Sequence, residues 1–224
     1  MIADNVKRVK ENLEKLSLQS GEKVSLLGVT KTRSVEEIKQ LINAGVNELG
    51  ENRVQEFNGK YPMLKEEAPD WHIIGSLQTN KLKYIIGKVR LIQSVDSLHL
   101  AQSISDFSLK KELVSDVLLE VNVSKEESKH GFYENELSEA VEKTALMNGI
   151  KLKGLMMMAP NVEDLAYLSD LFEKTRKIFD NLMNYNAKYD NINISILSMG
   201  MSHDYELAVK CGSNMVRLGT TLFI

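Results

Sequence analysis

The chain has 224 residues, of which 43% are hydrophobic and 26% are charged, and its formal net charge is −3. This composition is typical of a globular protein with a sizeable core, and it contains no basic block that would favour nucleic-acid binding. No apolar stretch approaches the roughly 20 residues of a membrane span, and the N-terminus lacks the apolar segment of a signal peptide. Cys211 is the single cysteine, which excludes an intramolecular disulfide and a cysteine-based metal site. We therefore expect a cytoplasmic protein without nucleic-acid or membrane partners.

Apolar residues at helical spacing predict a first helix over residues 2–18, and strand-like and helix-like stretches alternate after it. The predicted strands cover residues 25–30, 48–50, 71–74, 91–94, 117–121, 152–157, 194–198 and 215–218. The predicted helices between them cover residues 35–44, 54–67, 80–86, 98–109, 134–147, 162–185 and 205–210, and Asn161 is the expected cap of 162–185.

Eight strands that alternate with helices predict a (β/α)8 barrel, here with an extra N-terminal helix, and the length suits one such domain. The alternative is an open doubly wound sheet, but the glycine fingerprint expected after its first strand is absent. We find no linker and expect residues 1–224 to form a single domain with no second one.

Lys31 follows the first predicted strand, and a capping box of Ser34 and Glu37 begins the next helix. In such barrels the carboxyl ends of the strands carry the chemistry, and a partly desolvated lysine there can attack an aldehyde and form a Schiff base. The alternative for Lys31 is an ordinary solvated loop lysine.

The loops after strands seven and eight contain Ser202, Gly219 and Thr220. These loops form the usual phosphate site of a barrel, because glycine lets backbone amides approach the anion and hydroxyl groups donate to it. The alternative is that both segments are ordinary turns.

Three further polar residues are candidates for a site. Arg217 lies in the last strand, where it needs either a carboxylate partner or a ligand acceptor, because an unpaired buried charge is costly. His72 lies in an apolar strand, where a packing role is commoner than a catalytic one, and the four histidines show no metal-ligand spacing. Asn52 ends strand two and could face a ligand.

Several segments in the same order resemble the pyridoxal phosphate homeostasis proteins, a family related to the barrel domain of alanine racemase. These segments are 29–32, 50–52, 72–81, 154–156, 198–204 and 216–220. The resemblance implies a barrel that holds pyridoxal 5′-phosphate (PLP), with Lys31 as the Schiff-base lysine and Arg217 facing the pyridine nitrogen. It also implies a phosphate cradle of Ser202, Gly219 and Thr220, with Asn52 and His72 near the cofactor. The chain departs from the family pattern by ending at Phe223 and Ile224.

The resemblance implies a monomeric carrier that binds PLP reversibly and supplies it to PLP-dependent apo-enzymes, and no residue is assigned a catalytic role. An arginine at the pyridine nitrogen leaves that nitrogen unprotonated, which weakens the cofactor as an electron sink. Two alternatives stay open at this point: a PLP-dependent amino-acid racemase of low activity, and a cofactor-free Schiff-base lyase.

Overall fold

The computed structural model describes residues 1–126 and 130–224. The strands are β1 Ser25–Val29, β2 Glu48–Glu51, β3 Asp70–Ile73, β4 Leu91–Val95, β5 Ser115–Val121, β6 Ile150–Met157, β7 Ile192–Ser198 and β8 Met215–Leu218. The α-helices are α1 Ile2–Ser20, α2 Val35–Asn43, α3 Val54–Lys60, α4 Leu82–Ile85, α5 Leu98–Leu109, α6 Leu137–Ala145, α7 Leu165–Leu182, α8 Tyr205–Lys210 and α9 Thr220–Phe223. Short 3-10 helices cover Tyr61–Leu64, Thr79–Lys81, Glu134–Glu136 and Met183–Ala187.

The eight strands form a closed parallel barrel in chain order, which confirms the predicted (β/α)8 architecture and its extra N-terminal helix. Closure makes β1 a neighbour of both β2 and β8. Leu27 therefore lies opposite Glu48 on one side and opposite Arg217 on the other. The carboxyl ends of β1, β2, β7 and β8 thus meet at one end of the barrel, which we call the mouth.

Successive side chains along each strand point alternately out of and into the barrel, which gives two apolar layers: one between the strands and the helices, and one inside the barrel. Trp71 of β3 points outward and packs edge-on against Phe57 of α3, with ring centroids 5.5 Å apart. The next residue, His72, points inward and bonds to Gln93 of β4. Inside the barrel, Leu27 and Val29 pack with Ile74. The larger core therefore lies between the barrel and its helices, and the interior combines apolar side chains with buried polar ones.

The structure corrects several element boundaries. The predicted helix 54–67 ends at Lys60 and continues only as a 3-10 turn, because Pro62 lies in the first turn of that segment. The predicted helix 162–185 begins at Leu165, capped by the Asp164 side chain rather than by Asn161. Strands β5, β6 and β7 each begin two residues earlier than predicted, because polar residues at the strand starts concealed them. A short helix, α9, follows β8, where the sequence predicted none.

Helix α1 packs outside the barrel against α2, α8 and α9. The Asn5 amide donates to the Ile224 carbonyl oxygen at 3.2 Å, and the Asn12 amide donates to the Tyr205 hydroxyl oxygen at 2.8 Å. These bonds attach α1 to the two helices that flank β8. Over the part of the chain that the structure describes, no helix is both long and apolar enough to cross a membrane.

Candidate functional site

The mouth brings together the loops that follow β1, β7 and β8. The backbone amide of Arg217 donates to the Gly200 carbonyl at 3.0 Å, which places the loop after β7 beside β8. Gly219, which follows β8, lies against Val29 at the end of β1. The structure therefore groups Lys31, Ser202, Gly219 and Thr220 at one end of the barrel.

Lys31 lies in a turn directly after β1 and its side chain is exposed. Leu27 and Val29 face the interior, and Lys31 follows Val29 by two positions at the end of the barrel where the mouth lies. Among the described residues, no hydrogen bond or ion pair forms with the Lys31 amine. The amine is thus available to a ligand at the mouth.

A buried ion pair lies beside the Lys31 turn. The Lys60 ammonium donates to the Thr30 carbonyl at 2.7 Å and to Glu51 Oε1 at 2.6 Å, and the Thr30 hydroxyl also donates to Glu51 Oε1 at 2.6 Å. Burial raises the pKa of the Glu51 carboxyl, while Lys60 and Thr30 act in the opposite direction. This group was not predicted from the sequence, although Glu51 is the last residue of β2 and directly precedes Asn52.

The loops after β7 and β8 contact each other through Ser202. Its hydroxyl oxygen lies 3.4 Å from the backbone amides of both Gly219 and Thr221, and the Thr221 hydroxyl lies 3.5 Å from the Ser202 carbonyl. These distances are at the long limit for hydrogen bonds, so the amides of Gly219 and Thr221 are able to donate to a stronger acceptor instead. Thr220 is exposed at the start of α9. Thr221 was not predicted from the sequence as a site residue.

Arg217 is 3% exposed and points into the barrel. Its guanidinium donates to the Ser198 carbonyl and hydroxyl oxygens, each at 2.8 Å, and to the Met157 carbonyl at 2.8 Å. Burial lowers the pKa of Arg217 to about 10, against the favourable charges of Asp204 and Glu120, so the side chain is cationic at neutral pH. Among the described residues no carboxylate lies within ion-pair distance of Arg217, and two backbone carbonyls and the Ser198 hydroxyl hold its guanidinium in place.

His72 lies deeper in the barrel than the mouth. Gln93 donates to His72 Nδ1 at 2.9 Å and accepts from the Ser198 hydroxyl at 2.7 Å, which links His72 to Arg217 through two side chains. His72 also lines a cavity of about 280 Å³ at the opposite end, where strands begin. Burial lowers the pKa of His72 to about 3, so the ring is neutral. Sequence reasoning missed Gln93 and Ser198.

Asn52 follows β2, and its backbone lies directly against Gly75. A Cβ atom at Gly75 would collide with the Asn52 carbonyl, so the glycine permits this close approach. The Asn52 side chain forms no hydrogen bond with a described residue. Nearby, Glu120 lines a cavity of about 180 Å³ at the mouth, and burial raises the pKa of its carboxyl to about 7.

The barrel and its mouth define a protein of the alanine racemase N-terminal domain class, and residues 5–224 match the model of that family. A pyridoxal phosphate homeostasis protein from Aquifex aeolicus is 42% identical over 98% of this chain and 96% of that protein. The chain therefore belongs to the pyridoxal phosphate homeostasis protein family, as the sequence resemblance indicated.

Two solved structures are similar over nearly the whole chain. A protein described as unknown from Bifidobacterium adolescentis is 36% identical, with a TM-score of 0.90, and the match covers 99% of this chain and 94% of that one. PipY of Synechococcus elongatus PCC7942, with PLP bound, is 28% identical, with a TM-score of 0.87, and the match covers both chains completely.

Proposed function

We propose that this protein binds PLP at the mouth of the barrel, forms a Schiff base through Lys31, and buffers or delivers the cofactor. The observation that carries the proposal is the exposed Lys31 amine, which no described residue engages, at the end of β1 beside the loops after β7 and β8. The name of the Aquifex aeolicus relative and the PLP in the PipY structure support the same ligand.

The residues at the mouth fit the chemistry of this cofactor. PLP supplies an aldehyde, which condenses reversibly with a primary amine, and a phosphate dianion. Lys31 supplies the amine. Ser202, Thr220 and the amides beside Gly219 supply donors for the phosphate, since charge-assisted hydrogen bonds are the strong ones. Arg217 would donate toward the pyridine nitrogen. The Asn52 amide, which forms no hydrogen bond with a described residue, offers a further donor near the same end.

The charge of Arg217 supports a carrier rather than an enzyme. With a pKa of about 10, the guanidinium donates hydrogen bonds and does not protonate the pyridine nitrogen at neutral pH. The unprotonated ring is a weaker electron sink and stabilises a carbanion less, which disfavours racemisation. His72 is neutral and bonded to Gln93, which favours a structural role over that of a catalytic base. A chiral amino-acid assay of the PLP-loaded protein tests this point, because turnover at about 1 s⁻¹ would make it a racemase.

We further propose a monomer in the cytoplasm that transfers PLP to PLP-dependent apo-enzymes. The exposed position of Lys31 supports transfer, because a bound cofactor would be reachable from solvent. A direct test adds an apo-enzyme to the loaded protein and follows the recovery of its activity in the presence of a scavenger of free PLP. Recovery no faster than from free PLP alone would contradict delivery.

The spectrum of the purified protein tests the binding proposal. We expect a visible absorption band that survives dialysis and is lost in Lys31→Ala. Lys39→Ala is the matched control, since Lys39 pairs with Glu67 on the surface. A band that persists in Lys31→Ala would assign the bond to another lysine, and a colourless protein after PLP addition would favour the cofactor-free lyase.

A further inference from the structure

We infer that Lys60 is a positioning residue for Lys31. Its ammonium group, together with Glu51 and Glu56, holds the backbone on both sides of Lys31, and we call these three residues the Lys60 clamp. The inference deepens the proposed function and rests on it, because the clamp matters to binding only if Lys31 is the residue that reacts.

The first half of the clamp holds the residue before Lys31. The Lys60 ammonium donates to the Thr30 carbonyl at 2.7 Å and to Glu51 at 2.6 Å, and Glu51 accepts from the Thr30 hydroxyl at 2.6 Å. Both polar groups of Thr30 that face α3 are therefore engaged by one ion pair. This fixes the direction in which the chain leaves β1.

The second half holds the residue after Lys31. The backbone amide of Thr32 donates to Glu56 Oε2 at 2.7 Å, and Lys60 donates to the same oxygen at 3.3 Å. Thr32 has a φ of 62°, a left-handed conformation that is unfavourable for a β-branched residue. Glu56 compensates this cost with a charge-assisted bond, and Lys60 orients Glu56.

Burial shows that stability alone does not explain the clamp. The Glu51 side chain is 0% exposed and the Lys60 side chain is 12% exposed, so both charges are largely removed from water. Desolvation of such a pair cancels most of its attraction, and apolar side chains of similar size are often as stable. Glu51 Oε2 also has no hydrogen-bond partner among the described residues. The arrangement instead fixes the course of the backbone at Lys31, because it connects β2 and α3 to the two residues that flank Lys31.

Formation of the Schiff base depends on where the backbone places the Lys31 amine. The neutral Lys31 amine would add to the aldehyde carbon, and the carbonyl oxygen would leave as one water molecule with both amine protons, so that a C=N bond replaces the C=O bond. The phosphate contacts would fix where the aldehyde lies. A displacement of about 1 Å between reacting groups can cost on the order of 100-fold. Loss of the clamp should therefore weaken formation of the covalent bond and leave recognition of the rest of the ligand unchanged.

Two ligands separate these effects. PLP carries both phosphate and aldehyde, whereas pyridoxamine 5′-phosphate carries the phosphate and the ring but no aldehyde. We expect Lys60→Met to lower PLP affinity about tenfold or more and to change pyridoxamine 5′-phosphate affinity less than about twofold. Lys60→Arg should restore most of the PLP affinity, since it returns a cation and donors. Lys39→Met, which removes a surface ion pair with Glu67, should change neither affinity.

Two results would overturn the inference: unchanged PLP affinity in Lys60→Met, or equal weakening of both ligands. A wild-type protein that forms no bond with PLP would instead refute the proposed function, so the two failures are distinguishable. If circular dichroism shows that Lys60→Met does not fold, Glu56→Ala replaces it. That variant removes the acceptor of the Thr32 amide and keeps the pair of Lys60 with Glu51. It should show the same selective loss, and an unaltered ratio of the two affinities would count against the clamp.

Discussion

The substitution Gln93→Leu tests the polar chain inside the barrel. Gln93 is 0% exposed, donates to His72 Nδ1 at 2.9 Å and accepts from the Ser198 hydroxyl at 2.7 Å. Leucine has a similar size, so little cavity forms, but His72 Nδ1 loses its donor and Ser198 loses its acceptor. Each unsatisfied buried group costs about 1–3 kcal/mol, and leucine itself costs less to bury than glutamine. We expect a net loss of about 2–4 kcal/mol in the free energy of unfolding.

Urea denaturation at pH 7, followed by circular dichroism, measures this loss. Gln102→Leu is the matched control, because Gln102 is exposed on α5 and, among the described residues, its side chain bonds only to Asp106 on the same helix. That control should stay within about 0.5 kcal/mol of wild type, as surface substitutions usually do. If Gln93→Leu also stays within about 0.5 kcal/mol of wild type, the hydrogen-bonded side chains from His72 to Arg217 do not stabilise the barrel.

Three further predictions concern the mouth. Pyridoxal, which lacks the phosphate, should bind at least about 100-fold more weakly than PLP, because each hydrogen bond to a charged group is worth about 1.5–3 kcal/mol and several are lost. Equal affinities in a spectroscopic titration would refute the phosphate assignment. Gly200→Ala should lower stability by about 1–3 kcal/mol, because φ is 99° and a Cβ would lie 2.7 Å from Ala208. Gly59→Ala, where a Cβ meets nothing within 4 Å, should not lower the thermal midpoint. The folded-state pKa of Glu120 is raised to about 7 from 4.5, so between these two values the folded state binds more protons than the unfolded state. Stability should therefore fall as pH rises from about 4.5 to 7, and Glu120→Gln should flatten that part of the measured pH profile.

The fold was predictable because its signals are local and repeat. The sequence predicts eight strands, of which seven are followed by a helix, and patterning of this kind determines a barrel more strongly than any single residue does. Boundaries were wrong where a polar residue lies at a strand start, as Lys151 does in β6, where a cap lies three residues later than expected, as Asp164 does, and where Pro62 ends a helix early. Propensity does not show which polar side chain faces the barrel and which faces water.

The site was predictable only in part. Lys31, Ser202 and Gly219 follow strand ends, and closure of the barrel brings such ends together, so their grouping at the mouth follows from topology. The contacts of Lys60 with Thr30 and Glu51 depend on how α3 packs against β1 and β2, and no spacing in the sequence encodes that packing. The partners of buried polar groups are likewise set by three-dimensional register. Gln93 contacts Ser198, more than one hundred positions away, because both face the interior.

Borohydride trapping with peptide mapping tests the central claim most directly. The purified protein is incubated with PLP, reduced, digested and analysed by mass spectrometry to locate the added pyridoxyl phosphate group. We predict a single major adduct on Lys31, with Lys60 unmodified because its amine is engaged by Thr30 and Glu51. A major adduct on any other lysine, or no adduct after reduction, would contradict the assignment of Lys31 as the PLP-binding residue.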